Sequence, residues 1–265
     1  MSRKTVDWGF PNEAVPIGSG SYYAVRFSPA PLRPQYAVVL AWYRKMRGIA
    51  CAPADPGVAR LKLDWWRDEL HRTFEAQRPQ HPMTIAMADQ GIGPTAADPM
   101  HAIVDATEQL IRQPGLADIA AFHSDCAASG GRLFEIFCRL EPGSTYAVER
   151  SLALGAYWDA VERVCRLPDR PEQVTKALDP RQATGLQATA RQAHCEALLR
   201  YPGGRTALRK EPVPDLARRL VAVAQGLHAH LARRGFTAIE QPTDRAPIAH
   251  LWTAWRCRGG LRGTR

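Results

Sequence analysis

Two arginines spaced one helical turn apart are the first candidates for chemistry in this sequence. Arg44 and Arg47 follow Tyr43 in a segment whose apolar residues recur at helical spacing. Residues three apart share one helix face, and arginine can grip phosphate oxygens with two donors at once. The pair is therefore a candidate for binding a diphosphate without a metal. The alternative is a solvated helix end, where cations suit the helix dipole.

Two acidic pairs have the spacing of a metal site. Asp159 and Glu162 share one face of a predicted helix, and Asp64 and Asp68 share a face of another. Carboxylates on successive turns point the same way and can share Mg²⁺, which prefers oxygen ligands. Both pairs also have arginines close by at helical spacing, so we interpret them as ordinary ion pairs, with a metal site as the alternative.

Other common kinds of site are not indicated. The histidines and cysteines show no metal-ligand spacing, and the sequence contains no GxSxG, P-loop or GxGxxG motif. We therefore predict no metal site and no resident cofactor. The six cysteines mostly stand beside apolar residues, which predicts reduced, structural thiols.

The elements that must position these residues are helices. Apolar residues recur at three- and four-residue spacing with Pro or Gly in the gaps, and no alternating strand pattern occurs. We predict one all-α domain at 21–257, preceded by an N-terminal arm at 1–20 and followed by a flexible Gly/Arg tail at 258–265. The predicted helices span 35–48, 58–77, 83–89, 100–113, 116–140, 145–167, 181–201, 212–234 and 248–257, with a loop at 91–99.

Composition limits the partners. The chain has 265 residues, 45% of them hydrophobic, which is enough for a substantial core. Its longest apolar run, 36–43, is far shorter than the ~20 residues of a membrane-spanning helix, and no secretion signal is recognisable. The net charge of +9 favours anionic partners such as diphosphates or lipid heads, and its even spread argues against nucleic acid. We expect a cytoplasmic protein, with peripheral attachment to the inner membrane as an alternative.

Several motifs resemble those of one family, the squalene/phytoene synthases. The most specific is the block at residues 60–70, with the adjacent Trp65 and Trp66. The closing segment at residues 250–256 is also similar to bacterial members and to their mitochondrial relative, an assembly factor of complex I. The weaker matches are Ser21-Tyr22-Tyr23, Arg33-Pro34, His81-Pro82, the small-residue run at 126–131 and Leu154-Gly155.

The resemblance implies an isoprenoid-synthase-type helical bundle around a deep, apolar central cavity. Active members condense two prenyl diphosphates head to head, with Mg²⁺ held by two Asp-rich motifs. The metal neutralises the charge that grows on the departing diphosphate. By the same resemblance, Ser21, Tyr22 and Tyr23 would lie at the cavity mouth.

The chain departs from the family pattern at both motifs. Arg47, Gly48 and Cys51 stand where acidic residues of the first motif are expected, and Arg166 and Arg170 stand at the main Asp positions of the second. Cationic side chains repel Mg²⁺, so the sequence predicts that both metal sites are lost.

Three hypotheses remain open at this point. The first is a non-catalytic protein that binds a prenyl diphosphate or isoprenoid lipid, or acts as an assembly scaffold for a protein partner. The alternative is an active prenyltransferase that holds diphosphate with arginine and uses Mg²⁺ only if that activity persists. A generic basic helical domain is the third. The candidate ligand-binding residues are Ser21, Tyr23, Tyr43, Arg44, Arg47, Asp159 and Glu162.

Overall fold

The chain folds into helices throughout the part that can be described. A computed structural model describes residues 8–51, 55–113, 116, 118–141, 145–166, 188–200, 212–236 and 244–257, and these contain no β-strand. The all-α prediction is confirmed. The helices are α1 (Gly20–Arg26), α2 (Arg33–Cys51), α3 (Pro56–Phe74), α4 (Pro82–Asp89), α5 (Ala97–Arg112), α6 (Ile119–Cys126), α7 (Arg132–Leu140), α8 (Val148–Cys165), α9 (Ala188–Leu198), α10 (Asp215–Arg233) and α11 (Pro247–Arg256).

Capping residues explain where several helices begin and end. The Ser19 hydroxyl accepts from the backbone N–H of Tyr22 at the start of α1, and the Asp55 carboxylate caps α3, which begins two residues before its predicted start. Gly235 follows α10 with a φ of +58°, a conformation that glycine adopts without strain. Helix α5 begins at Ala97, so the predicted loop at 91–99 is too long at its end.

Some predicted segments differ from the structure. Residues 8–19 of the predicted arm belong to the folded body, because Ala14 and Val15 are buried in the core. The flexible tail predicted at 258–265 lies outside the described residues, as do residues 181–187 of a predicted helix. The long helix predicted over 116–140 is two helices, α6 and α7, joined by a π-helical turn at Ala127–Gly131.

The π-helical turn packs directly on α8 through small residues. A Cβ atom added to Gly155 would clash with the carbonyl oxygen of Gly130, and one added to Gly131 would meet the backbone of Leu152. The small-residue run and the Leu154-Gly155 pair therefore have a packing role, because they let two helical segments approach at backbone distance.

Aromatic rings fill the middle of the bundle. The ring of Tyr36 contacts Phe137, with ring centroids 5.6 Å apart, and Phe137 contacts Phe134 at 5.5 Å. Phe134 then contacts Trp158 at 5.8 Å, and Trp158 contacts Tyr43 at the same distance. All five side chains are buried. This row of rings joins α2, α7 and α8 within the hydrophobic core.

The block at residues 60–70 contains a buried carboxylate, Glu69. Glu69, in α3, is fully buried and accepts the backbone N–H groups of Gln80 and His81, each at 2.8 Å, and the hydroxyl of Thr84. Arg72 pairs with its other oxygen at 2.9 Å. Burial alone would raise the pKa of Glu69, but these donors outweigh it and hold the pKa below 4.5. The carboxylate thereby fixes the turn between α3 and α4.

The two tryptophans occupy different environments. Trp66 is buried and its ring lies 4.8 Å from that of His81, whereas Trp65 is 42% exposed.

The buried cysteines described, Cys126, Cys138, Cys165 and Cys195, carry free thiols. Within the described ranges, no helix is both long and apolar enough to cross a membrane.

We predict that Glu69→Gln lowers the free energy of unfolding by about 2 kcal/mol, because the amide places a donor where the carboxylate accepts several. Urea denaturation would measure the change. Glu75→Gln is the matched control, since Glu75 is exposed and pairs only with His71 among the ion pairs described. Equal losses in the two variants would contradict a structural role for the buried carboxylate.

Candidate functional site

A polar cavity lies between α2 and α8, beside the segment that precedes α1. Its volume is about 370 Å³, within the ~300–1,000 Å³ typical of small-molecule sites. Tyr43 and Trp158, the end of the aromatic row, form part of its wall. Cationic residues outnumber acidic ones in the lining. The cationic lining residues are Arg44, Lys45, Arg47, Arg163 and Arg166, and the acidic lining residues are Glu13, Asp159 and Glu162.

Asp159 is held by three partners from three elements. Its carboxylate accepts from the Tyr43 hydroxyl of α2 at 2.7 Å, lies 2.9 Å from Ser129 Oγ of the π-helical turn, and pairs with Arg163 of α8 at 2.6 Å. Burial and the charge of Asp159 raise the pKa of Tyr43 well above 10, so the phenol stays protonated and donates. The Asp159 oxygens are therefore engaged by protein donors.

A second buried carboxylate, Asp125, joins the same network. It lies 2.9 Å from Arg47 Nη2 and 2.6 Å from Arg163 Nη1. Burial would raise the pKa of Asp125, but the two arginines outweigh it and hold the pKa below 3.8. The carboxylates in turn raise the pKa of Arg163, although burial opposes this, so Arg163 is always cationic. The network thus contains two arginines and two aspartates and is electrically balanced.

Helical spacing sets this geometry. Tyr43 and Arg47 are one turn apart on α2, and Asp159 and Arg163 are one turn apart on α8, so each helix contributes two neighbouring side chains to the network. The π-helical turn supplies Ser129, whose hydroxyl lies 2.7 Å from the Asp125 carbonyl oxygen. Turns of this kind often occur at functional sites.

The rim of the cavity is basic. Arg44 donates to the Ala14 carbonyl and lies 3.3 Å from Ser21 Oγ, while its distance to the Glu162 carboxylate is 3.9 Å. Arg166 lies 3.4 Å from Glu162 and its side chain is 44% exposed. One further donor stands out in the wall: within the described part of the chain, Arg47 Nη1 is buried without a hydrogen-bond partner.

The structure brings five of the seven predicted residues together: Tyr43, Arg44, Arg47, Asp159 and Glu162 all line the cavity. Asp159 and Glu162 form the ion pairs that their spacing predicted, with Arg163 at 2.6 Å and with Arg166 at 3.4 Å. The remaining two residues, Ser21 and Tyr23, are not part of the lining. Ser21 is buried behind Arg44, and Tyr23 packs its ring against Tyr22 and Phe27.

Other positions singled out in the sequence lie elsewhere. Asp64 and Asp68 are exposed on α3, and Asp64 pairs with Arg67 at 2.8 Å. Arg170 and the side chain of Cys51 lie outside the described residues.

The residues that the sequence did not indicate as members of the site are Asp125, Ser129 and Arg163. The small-residue run pointed to Ser129, but no local pattern connects Asp125 with Arg47, 78 residues away.

The two buried aspartates of the network do not fit Mg²⁺. Asp125 and Asp159 already pair with arginine at 2.6–2.9 Å, and an ion would have to displace these cations while lying among them. Across the described ranges, no group of three or more His, Cys, Asp or Glu residues is placed to hold a metal ion.

The helices and the cavity define an all-α protein of the isoprenoid-synthase type. The family model for squalene/phytoene synthase matches residues 17–155, just over half of the chain. The chain therefore belongs to the squalene/phytoene synthase family. The match covers α1 to the first half of α8 and ends before Asp159. No curated protein matches the chain.

We predict that Arg163→Met lowers the free energy of unfolding by about 3–5 kcal/mol, since it leaves two buried carboxylates short of a partner. Chemical denaturation would measure the loss. Arg166→Met, at the exposed rim of the same helix, should change stability by no more than about 0.5 kcal/mol. Similar effects of the two substitutions would show that the buried pairing is unimportant for folding.

The pH dependence should reveal the Asp125 carboxylate. Because its pKa is lower in the folded than in the unfolded chain, its contribution is present above about pH 4 and is lost as pH falls through the folded value. Asp125→Asn should therefore be less stable than the parent at pH 7, with the difference shrinking below pH 4. Urea denaturation from pH 7 to pH 2.5 would test this, and a pH-independent difference would contradict it.

Proposed function

We propose that this protein binds a prenyl diphosphate or a related isoprenoid lipid in the cationic cavity and does not catalyse Mg²⁺-dependent condensation. The observation that carries the proposal is the pairing of Asp125 and Asp159 with Arg47 and Arg163. This pairing uses the buried acids within the protein and leaves the cavity with an excess of cations. The protein would act as a binding or assembly protein on a synthase fold.

The cavity has the chemistry that a phosphate group requires. Arg47 Nη1 is a buried donor without a partner in the described structure, and a ligand oxygen would satisfy it. Lys45 and Arg166 add exposed positive charge at the rim. Arginine binds phosphate oxygens through directed, charge-assisted hydrogen bonds, so a diphosphate can be held without a metal.

We also propose a cytoplasmic location with peripheral contact to the inner membrane. The net charge of +9 favours anionic lipid surfaces. Helix α11 exposes Ile248, Trp252 and Trp255, with the Arg256 guanidinium over the Trp252 ring. Exposed tryptophans next to arginine suit the boundary between lipid head groups and hydrocarbon. The same surface would suit a protein partner in an assembly role.

Calorimetric titration with farnesyl diphosphate, with and without Mg²⁺, tests the proposed binding. We expect binding that does not depend on Mg²⁺ and is weakened about tenfold or more in Arg166→Ala, the usual effect of losing a charged hydrogen bond of ~1.5–3 kcal/mol. Arg112→Ala is the control, since Arg112 is exposed on α5 and pairs with Glu108.

A diphosphate-release assay on the same samples separates the alternatives. No release is expected. Release that requires Mg²⁺ would show that the family's metal chemistry is retained, and release without Mg²⁺ would favour the alternative of an arginine-based transferase. Absence of binding in the parent protein would contradict the proposal altogether.

A further inference from the structure

An apolar groove adjoins the cationic cavity on the other side of α2. It has a volume of about 540 Å³ and lies between the end of α2 and the first half of α3. Its apolar wall is formed by Ile49, Val58, Leu61, Trp65 and Trp66. Leu61 is 69% exposed and Trp65 is 42% exposed. A contiguous patch of exposed apolar side chains marks a binding site more often than scattered single apolar residues do.

Lys45 connects the groove with the cavity. Its side chain lines both, and Gly48, one turn further along α2, contributes no side chain to the groove wall. The charges on the groove are Lys45 and Lys62, and the described residues that line it include no carboxylate. A ligand that reaches the groove from the cavity therefore passes from a cationic to an apolar environment across one lysine.

We infer that the groove holds the hydrocarbon chain of a single amphiphilic ligand whose phosphate or diphosphate head lies in the cavity. This inference rests on the proposed function, and it places the chain outside the bundle, between α2 and α3. Among the described residues on the interior side of the cavity, Tyr43, Trp158 and Phe134 pack against one another.

Three features of the groove match a prenyl chain. Its volume is within the ~300–1,000 Å³ of small-molecule sites. The exposed ring of Trp65 and the side chain of Leu61 offer apolar contact that a hydrocarbon would cover. Lys45, which lines both compartments, can face the anionic end of the ligand while its methylene stem remains along the apolar wall.

Titration with two probes, inorganic diphosphate and farnesyl diphosphate, tests this placement. The parent should bind farnesyl diphosphate at least about tenfold more tightly, since a few buried methylene groups suffice for such a difference. Leu61→Gln should remove most of that advantage and leave the affinity for diphosphate unchanged. Ile248→Gln is the matched control, because Ile248 is also 69% exposed but lies on α11.

The outcomes separate the inference from the proposed function. If neither probe binds the parent, both the groove inference and the proposed function are contradicted. If both bind and Leu61→Gln keeps the full preference for farnesyl diphosphate, the groove inference is overturned and the cavity proposal stands. A third arm uses anionic phospholipid vesicles: if Leu61→Gln weakens only vesicle binding, the groove contacts a membrane surface and the inference is also overturned. Leu61→Ser, which also removes apolar surface without adding charge, should repeat the Leu61→Gln result.

Discussion

The buried guanidinium of Arg163 is the constraint on which the site depends. A charge inside a protein costs several kcal/mol unless it is paired and hydrogen-bonded. Arg163 is 2% exposed and lies between Asp125 and Asp159, while Arg47 balances the second negative charge. This requirement ties α2, α6 and α8 together at one point. The packing of the π-helical turn against Gly155 brings those segments close enough for it.

Under the proposed function, the same pairing limits the chemistry available at the cavity. A metal ion that took an aspartate from its buried arginine would leave that arginine unpaired, at a cost in stability. The buried acids pair with arginines inside the bundle, and Arg44, Lys45 and Arg166 make the rim of the cavity basic. Under the proposed function, stability and anion binding come from one arrangement of charge, because the inner arginines hold the acids and the outer cations face the ligand.

Local sequence patterns predicted much of the fold and part of the site. Apolar spacing predicted most of the helices described, and the i, i+4 spacing of Asp159 and Arg163 predicted their ion pair. The partnership of Asp125 with Arg47 could not be predicted, because it joins residues 78 positions apart and depends on how α6 packs against α2. For the same reason, the periodicity gave no sign that aromatic rings fill the bundle centre, since it indicates which face is buried but not what it meets.

Helix α2 explains why a cationic cavity and an apolar groove lie side by side. Its surface changes from charged to apolar within two turns: Arg44 and Arg47 face the cavity, Ile49 faces the groove, and Lys45 borders both. Successive residues on a helix are separated by about 100° of rotation. Neighbouring charged and apolar residues in a short segment can therefore face two different compartments. Such a helix suits a ligand with a charged end and an apolar end better than two unrelated ligands, because Lys45, the described residue that lines both compartments, is a cation with an apolar stem.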